Sequence, residues 1–179
     1  GIIGIQAALR QREETGQGQN IVVSMLDCLT SLLPFEHFDV FQKAGFPARS
    51  GNHQNRLAPF GIYRTSDGHV SVAAANDKWA AAIFDAMGQP ELVSDPRFCG
   101  RGPRARNADA LNGLIEGWTS RHSTESVIAE LQTKRGVPSV VVRTALEALV
   151  DPRLHASGAI QKLVHPDAGE IDAVGAVVP

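Results

Sequence analysis

The sequence predicts a mixed α/β fold of the α+β kind: helices packed on a short-stranded sheet over residues 60 to 150, carried between two segments of different character. Three observations lead there. Strand-like runs at Phe60 to Thr65 and His69 to Ala74 flank Ser66-Asp67-Gly68, and Asp-Gly favours a hairpin turn because glycine takes positive φ without cost. Apolar residues recur at helical spacing after Asp77, Asn107 and Ser123. Strands and helices do not alternate regularly, so a parallel doubly wound sheet is not expected for this stretch. Hydrophobic residues make up 43% of the 179, enough for one buried core and too many for wholesale disorder.

The elements follow in order. Residues 2 to 12 place Ile2, Ile5, Leu9 and Ala8 on one helical face, and Thr15-Gly16-Gln17-Gly18-Gln19 ends that helix at glycine. Asn20-Ile21-Val22-Val23 reads as a short strand. Ser24 starts a second helix, with Asp27 at the capping-box position and Met25, Leu26, Leu29, Leu32 and Leu33 apolar. Pro34 must kink or restart it, and Phe35, Phe38 and Phe41 carry the pattern to Gly45. Residues 45 to 59 form a loop rich in Gly, Pro and Asn. After the hairpin, Asp77 caps a helix with Trp79, Ile83 and Met87, closed by Gly88. Pro90 to Phe98 is a turn-rich connection. Leu111, Leu114, Ile115 and Trp118 mark the next helix, and Val127, Ile128 and Leu131 a third, closed by Gly136. Val140-Val141-Val142 is a strand, and Thr144 to Val150 a helix stopped by Asp151-Pro152. Ala159 to Val164 and Glu170 to Val174 are strands around His165-Pro166-Asp167-Ala168-Gly169.

Composition excludes several function classes. Lys plus Arg total 17 and Asp plus Glu 19, a formal charge of 17 − 19 = −2. Such a balance draws the chain toward neither nucleic acid nor an anionic membrane surface. No apolar run approaches the ~18 residues needed to span a bilayer. Two cysteines, Cys28 and Cys99, make neither a disulfide framework nor a metal site, so a reducing, cytoplasmic setting is the default. The uncapped apolar start Gly1-Ile2-Ile3-Gly4-Ile5 and the apolar end from Ala173 to Pro179 suggest a piece of a longer chain.

No complete active site stands out from the residues alone. Gly16-Gln17-Gly18 precedes a strand instead of opening a helix after one, so the dinucleotide fingerprint fails in context. His37, His53, His69, His122, His155 and His165 show no metal-ligand spacing. Arg97, Arg101, Arg104 and Arg106 read first as a solvated connection balanced by Asp95 and Asp109, and second as a phosphate holder. Cys28 lies in an apolar helix and reads as core. Serines 24, 31, 50 and 66 lack a nucleophile-elbow context. Asp27, Glu36 and Asp39 share one predicted helix and read equally well as its solvent face. The strongest feature is the loop Ser50-Gly51-Asn52-His53-Gln54-Asn55. Backbone N–H groups without bulky side chains can approach a ligand or an oxyanion there, although such loops also serve as plain connections.

An ordered set of motifs runs along essentially the whole chain. It comprises Gly4-Ile5 to Thr15-Gly16-Gln17-Gly18-Gln19, then Val22-Val23-Ser24-Met25-Leu26-Asp27. Gly51-Asn52, Ala58-Pro59-Phe60 and Asp67-Gly68 follow. Next come Asp77 to Trp79, Met87-Gly88-Gln89-Pro90-Glu91-Leu92 and Asp95-Pro96-Arg97-Phe98. Gly136-Val137-Pro138, Leu149-Val150-Asp151-Pro152 and His165-Pro166 complete it. In this order and spacing the chain resembles the family III CoA-transferases (CaiB/BaiF-like), a group that includes formyl-CoA transferase and α-methylacyl-CoA racemase.

The resemblance implies transfer of CoA between carboxylic acids through an aspartyl-CoA thioester, that is, covalent catalysis by a carboxylate. It places the family's aspartate upstream of Gly1, so no catalytic residue is assigned within the chain. Met25 matches a position near CoA. Gly51 and Asn52 match the start of a glycine-rich loop that covers the reacting acyl group and can shield a thioester from water; His53, the next loop residue, joins them as a candidate substrate contact. Acyl-CoA and a carboxylic acid are the implied substrates, with no covalently bound cofactor, no metal, no nucleic acid or membrane partner, and a homodimer of interlocked subunits. The implied organisation is the end of a Rossmann-like large domain and linker helix over 1-50, a small α+β domain over 51-154, and a return linker from 155-179. Two alternatives stay open. The racemase branch uses an acidic residue near the start of the helix after the hairpin, where this chain has Asn76 with Asp77 beside it. The other is a non-catalytic module that self-associates through its apolar ends.

Overall fold

The computed structural model describes residues 1–33, 37–54 and 56–175. They divide into two compact units, Gly1–Arg49 and Ser50–Pro179. The expected kink at Pro34 and the residues Phe35, Glu36, Asn55 and Ala176 to Pro179 lie outside the described residues.

The first unit is helical. Helix α1 spans Ile2–Thr15 and ends at Gly16, whose φ of 73° lets its N–H donate to the Arg12 carbonyl. Thr15 Oγ1 donates to the Gln11 carbonyl and accepts from Gln17 N–H. Helix α2 spans Met25–Thr30, capped where Ser24 Oγ accepts from Asp27 N–H at 3.1 Å. Helix α3 spans Phe38–Lys43, and Phe41 packs edge-on to Phe46 at 6.2 Å. None of these helices buries a residue, and Ile2, Ile3, Met25 and Leu26 are all exposed.

Three expectations change here. Residues 20 to 23 are not a strand, because β structure requires a ladder partner and they have none among the described residues. The run expected to be kinked or restarted at Pro34 holds two helices, α2 and α3, so Asp27 and Asp39 do not share one helix. Cys28 is exposed, not core, because the apolar side of a six-residue helix does not by itself supply a neighbour to bury it.

The second unit is a sheet covered by helices. Strands β1 (Phe60–Arg64), β2 (His69–Ala73) and β3 (Ser139–Val141) form an antiparallel sheet in that order. Tyr63 faces Val70, and Gly61 faces Val72. This register lines Tyr63, Val70 and Val72 on one buried face, as period-two alternation demands. Over that face pack α4 (Asp77–Ala86), α6 (Ala108–Thr119) and α7 (Thr124–Ile128), with a π turn at Ala129–Thr133. Ile83, Phe84, Leu111, Ile115, Trp118, Val127, Leu131 and Val137 complete the core. Each such side chain contributes roughly 1.5–3 kcal/mol on burial.

The Asp67-Gly68 turn closes with Thr65 N–H donating to the Gly68 carbonyl. Asp67 Oδ1 then accepts from the Thr124 amide and hydroxyl, both at 2.7 Å, and so docks the hairpin on the start of α7. A short 3-10 turn at Pro90–Ser94 leads to α5 (Arg101–Arg106). Helix α8 (Ala145–Leu149) begins in a full capping box between Thr144 and Glu147. Helix α9 (Pro152–Ala156) is capped by Asp151, which also pairs with Arg143 and Arg153. Strands β4 (Ile160–His165) and β5 (Gly169–Val174) make a separate two-stranded ribbon. The sequence pattern had not marked α5 or α9. Both are six residues or fewer, too short for an apolar period to register.

One cap differs from expectation. The α4 N-cap is Asn76, whose Oδ1 accepts from Trp79 N–H at 2.8 Å, while Asp77 is the first helical residue. The neighbouring carboxylate is drawn instead to a buried arginine.

Candidate functional site

The loop at Ser50–Gln54 folds back on the open edge of β1. Gly51 turns the chain with φ 61°, a left-handed conformation that glycine takes freely. The Asn52 carbonyl accepts from Ile62 N–H at 2.9 Å, and Gln54 N–H donates to the Phe60 carbonyl at 3.0 Å. His53 sits opposite Gly61 as an isolated antiparallel bridge. The loop thus adds a short rung to a sheet edge that would otherwise stand open.

Gly61 makes this possible. A Cβ there would fall 2.4 Å from His53 Cδ2 and 2.7 Å from the Asn52 carbonyl oxygen. The signal was present in the sequence, since a glycine inside a strand marks a close backbone approach, but the residue read only as part of the strand.

His53 packs its ring on Tyr63, centroids 5.0 Å apart and tilted by 56°. Its Nε2 is buried without a hydrogen-bond partner among the described residues. Tyr63 is fully buried and donates its hydroxyl to Asn112 Oδ1 at 2.7 Å. Burial, with Glu116 nearby as a smaller cause, pushes the phenol well above its ordinary range, so it stays a neutral donor. The amides of Gly51 and Asn52 donate to no backbone carbonyl among the described residues. Two consecutive N–H groups at a left-handed turn, with no such partner among the described residues, can hold an anion or an oxyanion.

The Ala58 end of the loop is fastened differently. Arg104 is only 2% exposed, although its neighbours Arg101 and Arg106 are exposed. Its Nε donates to the Ala58 carbonyl at 2.8 Å, Nη1 to Phe98 at 3.3 Å, and Nη2 to Ala75 at 3.1 Å and to Asp77 Oδ1 at 2.8 Å. The reading of all four arginines as a solvated connection therefore fails at Arg104, because three converging carbonyls and one carboxylate give a guanidinium more than water offers. Beside it lies a cleft of about 270 Å³ between α4 and the connection to α5, lined by Ala81, Phe84, Phe98 and Cys99 among others.

The candidate residues separate accordingly. Gly51, Asn52 and His53 stand together against β1 in the second unit. Met25 is the first residue of α2 in the other unit and is 82% exposed. No cluster of His, Cys, Asp and Glu suited to a metal ion occurs among the described residues. None of their helices is long and apolar enough to cross a membrane.

The sequence profile of CoA-transferase family III matches residues 1–179. Succinyl-CoA--D-citramalate CoA-transferase of Chloroflexus aurantiacus is 34% identical over 171 residues, 94% of this chain and 42% of that protein. Succinyl-CoA:mesaconate CoA-transferase of Haloarcula hispanica is 30% identical over 168 residues, 94% of this chain and 41% of that protein. The crystal structure of a CaiB/BaiF family protein from Brucella suis superposes with a TM-score of 0.72 at 29% identity, covering 98% of this chain and 49% of that one. The chain thus spans about two-fifths of the length of the curated relatives it matches. By sequence along its whole length and by fold, the chain belongs to CoA-transferase family III.

Proposed function

We propose that this chain forms part of an enzyme that moves CoA between carboxylic acids, with a dicarboxylyl thioester such as succinyl-CoA as donor. The observation that carries this reading is the family match over residues 1–179, joined to relatives that bear succinyl-CoA in their names. In the mechanism proposed, an aspartate outside the 179 residues holds CoA as a thioester between donor and acceptor. Gly51, Asn52 and His53 cover the reacting acyl group. The amides of Gly51 and Asn52, which donate to no backbone carbonyl among the described residues, suit the carbonyl oxygen as negative charge develops on it. The Tyr63 ring beneath His53 keeps that side of the loop dry. Met25 serves as a CoA contact, and two subunits form a cytoplasmic homodimer.

The test is an assay of CoA exchange between succinyl-CoA and a panel of small dicarboxylic acids. It is run on the complete gene product and on the 179-residue chain. Transfer by the gene product and none by the 179 residues is expected. Absence of transfer by the gene product with every acid would refute the reading, and turnover by the 179 residues alone would move the nucleophile into them.

A further inference from the structure

The loop Ser50–Pro59 has two fastenings of different kinds. Near its start, the Asn52 carbonyl and Gln54 amide join the β1 ladder. Near its end, the Ala58 carbonyl is held by Arg104. The same guanidinium holds Ala75, which follows β2, and Phe98, which precedes α5, and it pairs with Asp77 on the first turn of α4. Pro59 is tied in parallel, its carbonyl accepting from Ala74 N–H at 3.0 Å. One buried cation thus fixes the exit of the loop against three other segments. A lysine could not reproduce this, because an ammonium lacks the planar fork that reaches several acceptors at once.

We infer that Arg104 is the positioning residue of the Gly51–His53 loop, setting where that loop stands through the Ala58 carbonyl. The anchoring follows from these contacts alone; its catalytic consequence rests on the proposed role of the loop as a cover. An acyl thioester reached by water is hydrolysed: water oxygen bonds to the acyl carbon, the C–S bond breaks, and the sulfur leaves as thiol with a proton. A displaced loop therefore raises the share of donor lost to hydrolysis relative to the share transferred.

The experiment compares Arg104→Lys with the unsubstituted gene product, and takes Arg106→Lys as an exposed control. Amide hydrogen exchange at Gln54, Ile62 and Ala74 should quicken about tenfold in Arg104→Lys, while Val127 stays within about twofold. The ratio of succinyl-CoA hydrolysis to transfer should rise about threefold or more, with Arg106→Lys unchanged on both counts. Unaltered exchange at those three amides overturns the anchoring. Altered exchange with an unaltered hydrolysis ratio overturns the positioning role. No transfer by the unsubstituted protein strikes the functional reading instead, and exchange still decides the anchoring. If Arg104→Lys does not fold, Asp77→Ser, which removes only the exposed partner of the guanidinium, should quicken the same amides by a smaller factor; no change there also overturns the proposal.

Discussion

Gly61 and His53 lie so close across the edge of the sheet that a single added methyl group at Gly61 would meet Cδ2 of the imidazole at 2.4 Å. The obstacle is not only a movable ring. The Asn52 carbonyl oxygen, at 2.7 Å, is backbone and already accepts from Ile62. Gly61→Ala is expected to destabilise the second unit by about 1–3 kcal/mol, the usual range for overpacking. Urea unfolding measures the loss, and exchange at the Ile62 amide should quicken with it. Unchanged stability together with unchanged Ile62 exchange would show that the loop does not cross there.

Tyr63 offers an optical test, because it is the only tyrosine in the sequence. Burial first and Glu116 second raise its pKa above the ordinary value near 10. A phenol raised in the folded state stabilises the fold fully below the unfolded pKa. That stability is lost as pH climbs from about 10 toward the folded value, because the unfolded chain then releases the proton first. Phenolate absorbance should appear only above pH 10 and together with unfolding, not before it. Titration near 10 with the fold intact would contradict the buried hydroxyl. Tyr63→Phe leaves Asn112 Oδ1 without its donor and is expected to cost about 1–3 kcal/mol in urea unfolding.

Asp67 predicts acid sensitivity. The Thr124 amide, then its hydroxyl, hold the carboxyl below its ordinary range. A depressed carboxylate contributes stability that is present above the unfolded pKa near 4 and is lost as pH falls through the folded value. The melting temperature of the unsubstituted protein should therefore drop below pH 4 more steeply than that of Asp67→Asn, which has nothing there to protonate. Parallel curves would remove Asp67 from the account. Thr124→Val, which keeps the Thr124 amide but lacks its hydroxyl, should lie between them.

Both thiols should react in the native state. Cys28 and Cys99 are exposed, and neither is paired with the other. A colorimetric thiol reagent is expected to consume two equivalents without denaturant. One fast and one protected equivalent would mean that the side chain of Cys28 or Cys99 is covered in solution.

How much of this was legible beforehand depended on the range of the interactions. The hairpin was readable because Asp67-Gly68 carries its own turn chemistry. Helices α4, α6 and α7 were readable because Ile83, Leu111, Ile115, Trp118, Val127 and Leu131 repeat at the period that faces a core. Residues 20 to 23 looked like a strand by composition, but β structure exists only with a partner, which composition does not supply. Arg104 was opaque for a related reason. Its sequence neighbours are arginines of ordinary exposure, and its burial is decided by carbonyls 46 and 29 residues away. At the candidate site, Gly51, Asn52 and His53 were marked by loop chemistry. Gly61, Tyr63 and Asn112 were not, since only the folded register brings them under the loop.

The contacts of Arg104 with Ala58, Ala75 and Phe98 all go to main-chain oxygens. Main-chain oxygens are common to every amino acid, so that tie is indifferent to which side chains stand at those three positions. Substitution there is screened only by packing and local conformation, whereas residue 104 has no comparable freedom. The segment that carries Ala58 can exchange side chains without losing this tie. What the tie requires is a single guanidinium outside the loop.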